Sequence, residues 1–469
     1  LEKNLGSRNK KHLKTLWHVQ VKGGWFFTEI LERARKMLEK HPLCNHCLGR
    51  QFALLGYGVD NKKRGETLKL MLTMKGHKLA LLREKAGVSL LKTMATNGSF
   101  DMAAEILRKT KKRVGKRREC HLCEGQFKLL QELVDSSVEK LQDYEYGTFL
   151  VGIELPTKVE EREDEFKAEF AVKHGESMRN EFSRNIGKKL SEITQKTAEY
   201  AKPEVVVLVN PFTKQVTLQV NPLYIMGRYK KLIRGIPQSK WLCSECRGKG
   251  CPRCNGTGKM YSESVEEIIA GPTLQKTCGE ETAFHAAGRE DVDARMLGPG
   301  RPFIIEVKKP KKRFINLQNL ARTINKQAED KVKVLNLCVA DRDMVRKLKK
   351  AEAAQKIYKV IVEFDRNISD EELEALEKTL TNMPVHQQTP LRVLHRRADR
   401  IREKHIYTTK IKRLKPSRVE LRIRCQGGLY IKELITGDEG RTDPNVTKIV
   451  NAKAKPLELD VLNVVMEGS

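Results

Sequence analysis

The chain has 469 residues, with 90 Lys and Arg against 60 Asp and Glu, a formal net charge of +30. Hydrophobic residues make up 39%, enough for several ordinary cores, and at roughly 150 residues per domain the length suggests about three domains. No run approaches the ~18 apolar residues of a membrane span, and the first residues lack the apolar core and cleavage site of a secretory signal. A membrane protein and a secreted disulfide scaffold are therefore disfavoured, and a cytoplasmic location is expected. The chain starts without an initiator Met, as a fragment would. Positive charge spread along the whole length suits an extended phosphate backbone better than a small anion.

In chain order, a basic lead-in gives way to a predicted helix, FFTEILERARKMLEKH. Residues 41–150 read as mostly helical. RGETLKLMLTMKGHKLALLREKAG and SFDMAAEILRKTKK repeat apolar residues at three- and four-residue spacing. The run RKTKKRVGKRR (108–118) is the densest basic patch, either a solvated face or an RNA contact. YGTFLVGIELP predicts a strand opening a new domain. An amphipathic helix over 176–200 follows, then two strands in 203–225 joined by a turn at Asn210–Lys214, together a small α+β unit. GRYKKLIRGIPQSKW (227–241) reads as a basic linker. Beyond residue 260, strands are predicted over 302–310, 357–364 and 418–435, with a charged helix over 370–383. Neither a G-x-G-x-x-G nor a G-x-x-x-x-G-K-[ST] loop is present, so no nucleotide cofactor is expected.

Eight of the eleven cysteines lie in C-x-x-C pairs. Cys243, Cys246, Cys251 and Cys254 form C-x2-C-x4-C-x2-C within a glycine-rich stretch, and two such tight turns aim four thiolates at one zinc ion. Cys44, Cys47, Cys120 and Cys123 make a second set if the intervening helices fold back as a hairpin. His46 and His121 are possible substitute ligands. Four thiolates leave no open coordination position, so both sites are expected to be structural. The single Cys278, Cys338 and Cys425 are expected to be buried thiols.

The densest cluster of unusual residues runs from Phe284 to Glu306 and contains Gly288-Arg289-Glu290-Asp291-Val292-Asp293-Ala294-Arg295. An Asp set between Arg residues in a Gly-bounded loop has positive charge at hand to favour its anionic form. Such a carboxylate suits a nucleophile or base acting on a nucleotide; a salt-bridged surface loop is the other reading.

Gly288-Arg289-Glu290-Asp291 resembles the Gly/His-Arg-x-Asp loop of pseudouridine synthases. The string GREDVDARMLGPGRPFIIE is similar to the version in the archaeal and eukaryotic Pus-ten family of tRNA pseudouridine synthases. CNHCLGRQFALLGYGVDNKKRG, GRYKKLIRGIPQSKW, SVEEII, HQQTPLRVLHRRADRIR and YIKELITGDEGRTDPNV resemble further blocks of that family, in order from about residue 40 to 450. The resemblance implies Asp291 as the catalytic aspartate, with Asp293 the second candidate, and Lys432 as the basic partner of that carboxylate. It implies Tyr358 as the aromatic platform for the target base and Leu434 in the apolar wall. Arg289, Arg392, Arg396 and Arg397 are expected to contact substrate, since an extruded base needs its backbone clamped.

The implied architecture is multidomain α+β. It comprises a helical zinc-bearing region (1–124), a THUMP-like RNA-binding domain (125–228), a basic linker with the four-cysteine element (229–262), and a catalytic domain on a mixed, largely antiparallel sheet (263–469). The implied substrate is the T arm of tRNA, at positions 54 and 55, with structural zinc, no catalytic cofactor and a monomeric enzyme. The DnaJ-like cysteine element suits an archaeal source. A non-catalytic zinc-bearing tRNA-binding or RNA-chaperone protein is the alternative.

Overall fold

The computed structural model describes residues 29–350 and 354–465, and the chain divides into two units between Gln219 and Val220. The first unit starts with a helix over 29–40. Helices Asn45–Gly49, Asn61–Leu81, Lys85–Thr96, Asp101–Lys109 and Leu130–Leu141 follow. Side-chain caps start two of them: Asp60 accepts from the Lys63 N–H, and the Cys44 thiol accepts from the Cys47 N–H. Two of these helices cross in backbone contact. A Cβ on Gly49 would stand 1.8 Å from the Asn61 carbonyl oxygen, and one on Gly65 would stand 1.9 Å from that of Asn45. Only glycine permits this approach, which fixes the turn carrying Cys44 and Cys47.

The same unit ends in a four-stranded sheet of β1 (Thr148–Ile153), β2 (Thr197–Ala198), β3 (Val205–Asn210) and β4 (Gln215–Val220), in the order β2-β1-β3-β4. β1 runs parallel to both β2 and β3. Phe149, Val151, Ile153, Val205, Val207 and Val209 are buried, as are Phe182, Ile186 and Leu190 of helix Met178–Thr194. The helix is tied to the sheet by the Ser183 hydroxyl, which donates to the Val151 carbonyl at 2.7 Å. Helix Thr157–Glu169 is invisible in the apolar pattern, because charge dominates it and only Val159, Glu163 and Phe166 are buried.

The second unit is built on one ten-stranded sheet: β5 (Leu223–Lys231), β6 (Glu281–Ala286), β7 (Arg295–Lys308), β8 (Val332–Ala340), β9 (Lys356–Phe364), β10 (Met383–Gln388), β11 (Ile401–Lys415), β12 (Arg418–Cys425), β13 (Thr442–Asp443) and β14 (Ala454–Val464). The order is β13-β10-β11-β12-β9-β14-β7-β5-β8, with β6 also on β7. Its pairings are antiparallel except for β14 with β7. The sheet is therefore mixed and largely antiparallel, as expected.

Two cores flank that parallel seam. One gathers Phe303, Ile305 and Val334 with Ile269, Leu320 and Ile324; the other gathers Val360, Leu421 and Ile423 with Leu376 and Leu434. Tyr358 packs against both.

Three expectations differ from the structure. The segment read as a linker from residue 227 is the second half of β5, whose residues alternate between buried and half-buried. Its positive charge hides a strand, because Lys231 is fully buried with its ammonium on backbone carbonyls. The strand expected over 418–435 ends at Cys425 and gives way to helix Ile431–Thr436. Cys278 and Cys338 are exposed; of the three single thiols Cys425 alone is buried.

Candidate active site

The loop between β6 and β7 carries Arg289 to Asp293 and is held from behind. Arg301, 1% exposed, donates to Glu290 at 2.9 Å and to the Ala287 carbonyl at 2.7 Å. The buried Tyr229 hydroxyl also donates to Glu290, at 2.9 Å, and Gln238 donates to the Gly288 carbonyl at 3.0 Å. Lys231 donates to the Asp291 and Val292 carbonyls at 3.0 and 3.1 Å. Burial lowers the Lys231 pKa from its ordinary value, with Glu290 opposing. Glu290 thus anchors the loop, and the next residue is half-buried.

Asp291 opens into a cavity of about 440 Å³, shared with Tyr358, Val393, Arg397, Leu429 and Lys432. Two cations hold its carboxylate. Arg392 approaches with both terminal nitrogens, at 3.3 and 3.1 Å, and Lys432 lies 3.4 Å away. Arg392 is itself fixed by Glu433, to which its Nε donates at 2.7 Å. Burial works against the Arg392 charge, but the Glu433 hydrogen bond and Asp291 raise its pKa above the ordinary value. Lys432 makes its shorter bonds to Asp293, at 2.7 Å to each oxygen. Burial acts to raise the Asp293 carboxyl, but the hydrogen bond and charge of Lys432, with the Asp293 backbone N–H and Arg392, together lower that pKa.

Most of the residues singled out in the sequence converge here. Asp291, Arg289, Tyr358, Arg392, Arg397 and Lys432 line one cavity. Arg397 donates to the Tyr430 hydroxyl at 2.8 Å, and the Arg396 side chain lies outside the described ones. Leu434 does not line the cavity. It sits two residues after Lys432 on a helix, faces away, and is fully buried in the core; Leu429 and Val393 supply the apolar wall instead. Arg392, read as a phosphate contact, has its guanidinium on Asp291 and Glu433. Glu433 carried no signal in the sequence, since a lone Glu in a helix is ordinary until its burial is known. Of the 227–234 basic stretch, Lys231 and Arg234 serve the fold, with Arg234 bonded to buried Asp460 at 2.7 Å.

Both cysteine sets assemble. In each, the four sulfurs lie within 4.8 Å of one another. The Cys44–Cys123, Cys243–Cys251 and Cys246–Cys254 separations are all 3.7 Å. A tetrahedron with Zn–S near 2.3 Å has edges of about 3.8 Å, so the residues fit the ion. His46 bonds to Glu181 at 2.7 Å and stacks on Phe127, while His121 stacks on His41; neither completes a quartet.

Among known families, the model described as Pus10, C-terminal, matches residues 224–465, and the archaeal Pus10 THUMP domain matches residues 133–210. A tRNA pseudouridine synthase Pus10 of Methanocaldococcus jannaschii is 43% identical over 440 residues, covering 92% of this chain and 93% of the relative. The Pus10 enzyme of Methanothermobacter marburgensis is 40% identical, covering 93% and 99%. That of Methanothrix thermoacetophila is 37% identical, covering 93% and 95%.

Proposed function

The chain belongs to the Pus10 family of tRNA pseudouridine synthases, and from that premise we propose that Asp291 is its catalytic carboxylate, acting on uridines 54 and 55 of the tRNA T loop. The observation that carries this reading is the placement of Asp291: an oriented carboxylate at the mouth of a cavity that holds an aromatic residue, Tyr358, and an apolar wall. A uridine must leave its stack to be reached, and the cavity offers the extruded base a ring to lie against. The carboxylate attacks the nucleotide and the N1–C1′ bond breaks. The base turns within the cavity, C5 bonds to C1′, and the bond to the carboxylate breaks, which frees Asp291. The C5 proton leaves and N1 takes up a proton, so atoms balance without a cofactor.

Arg392 and Lys432 orient the carboxylate, and Glu433 acts through Arg392 as a positioning residue. Arg397 and Arg289 lie at the rim, where backbone phosphates pass. The two quartets hold structural zinc, and the four-cysteine hairpin begins within the second unit rather than in a separate linker. No helix among the described residues is long and apolar enough to cross a membrane. The reading is completed by a cytoplasmic monomer that grips the T arm with its THUMP-like region.

The test uses unmodified tRNA transcripts with wild-type and Asp291→Ala protein, followed by position-resolved pseudouridine mapping. Loss of an activated nucleophile costs on the order of 10⁴-fold or more in rate, so Asp291→Ala should yield no product while tRNA binding stays within a few-fold. Product from Asp291→Ala would move the role to Asp293, and no product from wild-type protein would favour the non-catalytic RNA-binding reading.

A further inference from the structure

Asp291 also lines a second, smaller cavity of about 160 Å³, which shares Arg289, Arg392 and Lys432 with the larger one and adds Pro237, Gln238 and Trp241. That is space for several waters, or for a single planar ring. We propose that Trp241 and Arg289 form a subsite there for the base adjacent to the target uridine. The proposal rests on the assignment of Asp291 as the catalytic group.

Trp241 is presented by a braced segment. Before it, the Val265 and Glu266 N–H groups donate to the Pro237 and Gln238 carbonyls at 3.1 and 2.9 Å, and the Lys240 N–H donates to Glu266 at 3.2 Å. Gln238 reaches the catalytic loop at Gly288. After it, the four-cysteine hairpin begins. The Met260 N–H donates to the Trp241 carbonyl at 3.0 Å, and Leu242 pairs with Lys259 across the base of the hairpin. The indole meets Tyr261 edge to face, with centroids 5.5 Å apart, so its ring plane is set from both chain directions.

The guanidinium of Arg289 lies 5.5 Å from the Trp241 centroid. A planar cation on an indole face marks where another flat group can stack. Arg289 is exposed and lines both cavities, so it stands where the phosphate joining a base in one to a base in the other would pass. A fixed aromatic face beside a cation is the means by which proteins take single-stranded nucleotides without reading their identity. The target base already has Tyr358 in the larger cavity, which leaves Trp241 for its neighbour.

The test compares Trp241→Ala and Trp241→Phe full-length protein with wild type, on tRNA transcripts intact or abasic at either neighbour of the target. On intact tRNA, Trp241→Ala should raise KM about tenfold, the scale of one lost stack, with a smaller change in kcat, and Trp241→Phe should recover most of it. On tRNA abasic at one neighbour, wild type and Trp241→Ala should converge. An undiminished penalty on both abasic substrates, with unchanged melting and zinc content, overturns the subsite. No product from wild-type protein on any tRNA would instead sink the catalytic reading itself.

Discussion

The two cysteine quartets bring sulfur atoms to the same spacing by opposite routes. In the first, Cys44 and Cys47 come from one end of a helical run and Cys120 and Cys123 from the other, and their surroundings are buried. Arg50, fully buried, donates to the Cys47 sulfur at 2.8 Å and to Glu163 at 3.1 Å. Lys69, also fully buried, donates to the Leu43 and Gly98 carbonyls and to Asn45 at 2.7–2.8 Å. Burial lowers the Lys69 pKa to about 8, while the nearby cysteines pull it upwards.

A zinc ion held by four thiolates has a net charge of −2, so two buried cations beside it offset what would be costly to desolvate alone. The second quartet lies within one hairpin. A Cβ at Gly250 would meet the Gly256 carbonyl at 2.7 Å, and one at Gly258 the Gly248 carbonyl at 2.5 Å, so two close glycine turns do what helices do elsewhere. Its charged neighbours Glu245 and Arg253 are exposed. The first quartet is thus part of a core, and the second is a clip.

If so, removing metal should have unequal consequences. Cys47→Ser takes one ligand and one of the two partners of Arg50, so the first unit should lose zinc and its own melting transition, a loss on the order of 10 kcal/mol. Calorimetry with zinc analysis checks this. A first unit that melts normally without metal would erase the distinction between core and clip. A smaller effect should follow from Glu163→Ala, which keeps all four thiolates but leaves Arg50 without its carboxylate and the Met178 N–H without its acceptor. Breaking a buried pair costs about 3–5 kcal/mol. Denaturant unfolding should show that loss with zinc still bound.

The contrast also explains how much was legible in the sequence. The hairpin quartet is local, so spacing and glycines alone identify it. The first quartet depends on how the helices fold back, and its buried partners Arg50, Lys69 and Glu163 carry no mark in the sequence, because a charged residue reveals its burial only through tertiary contacts. The catalytic loop follows the same rule. Asp291 lies in a motif and stood out, whereas Glu433, far along the chain, is tied to it only through Arg392. Lys231 misled for the same reason, its charge reading as surface. Leu434 was misplaced by a helical turn that residue order does not display; Lys432 and Leu434 belong to one short motif but to opposite faces of Ile431–Thr436.

The smallest effect on stability should come from the clip. Cys246→Ser should shift the main unfolding of the second unit by less than about 1 kcal/mol, since its sulfur is remote from either core. What it should disturb is Trp241, which enters the hairpin and is paired across its base. KM for tRNA should therefore rise about tenfold, as in Trp241→Ala. The double variant should be no worse than either single one, because both changes remove one and the same stacking face. Additive penalties would mean that the hairpin meets RNA on its own account, and an unchanged KM for Cys246→Ser would mean that Trp241 stands without its clip.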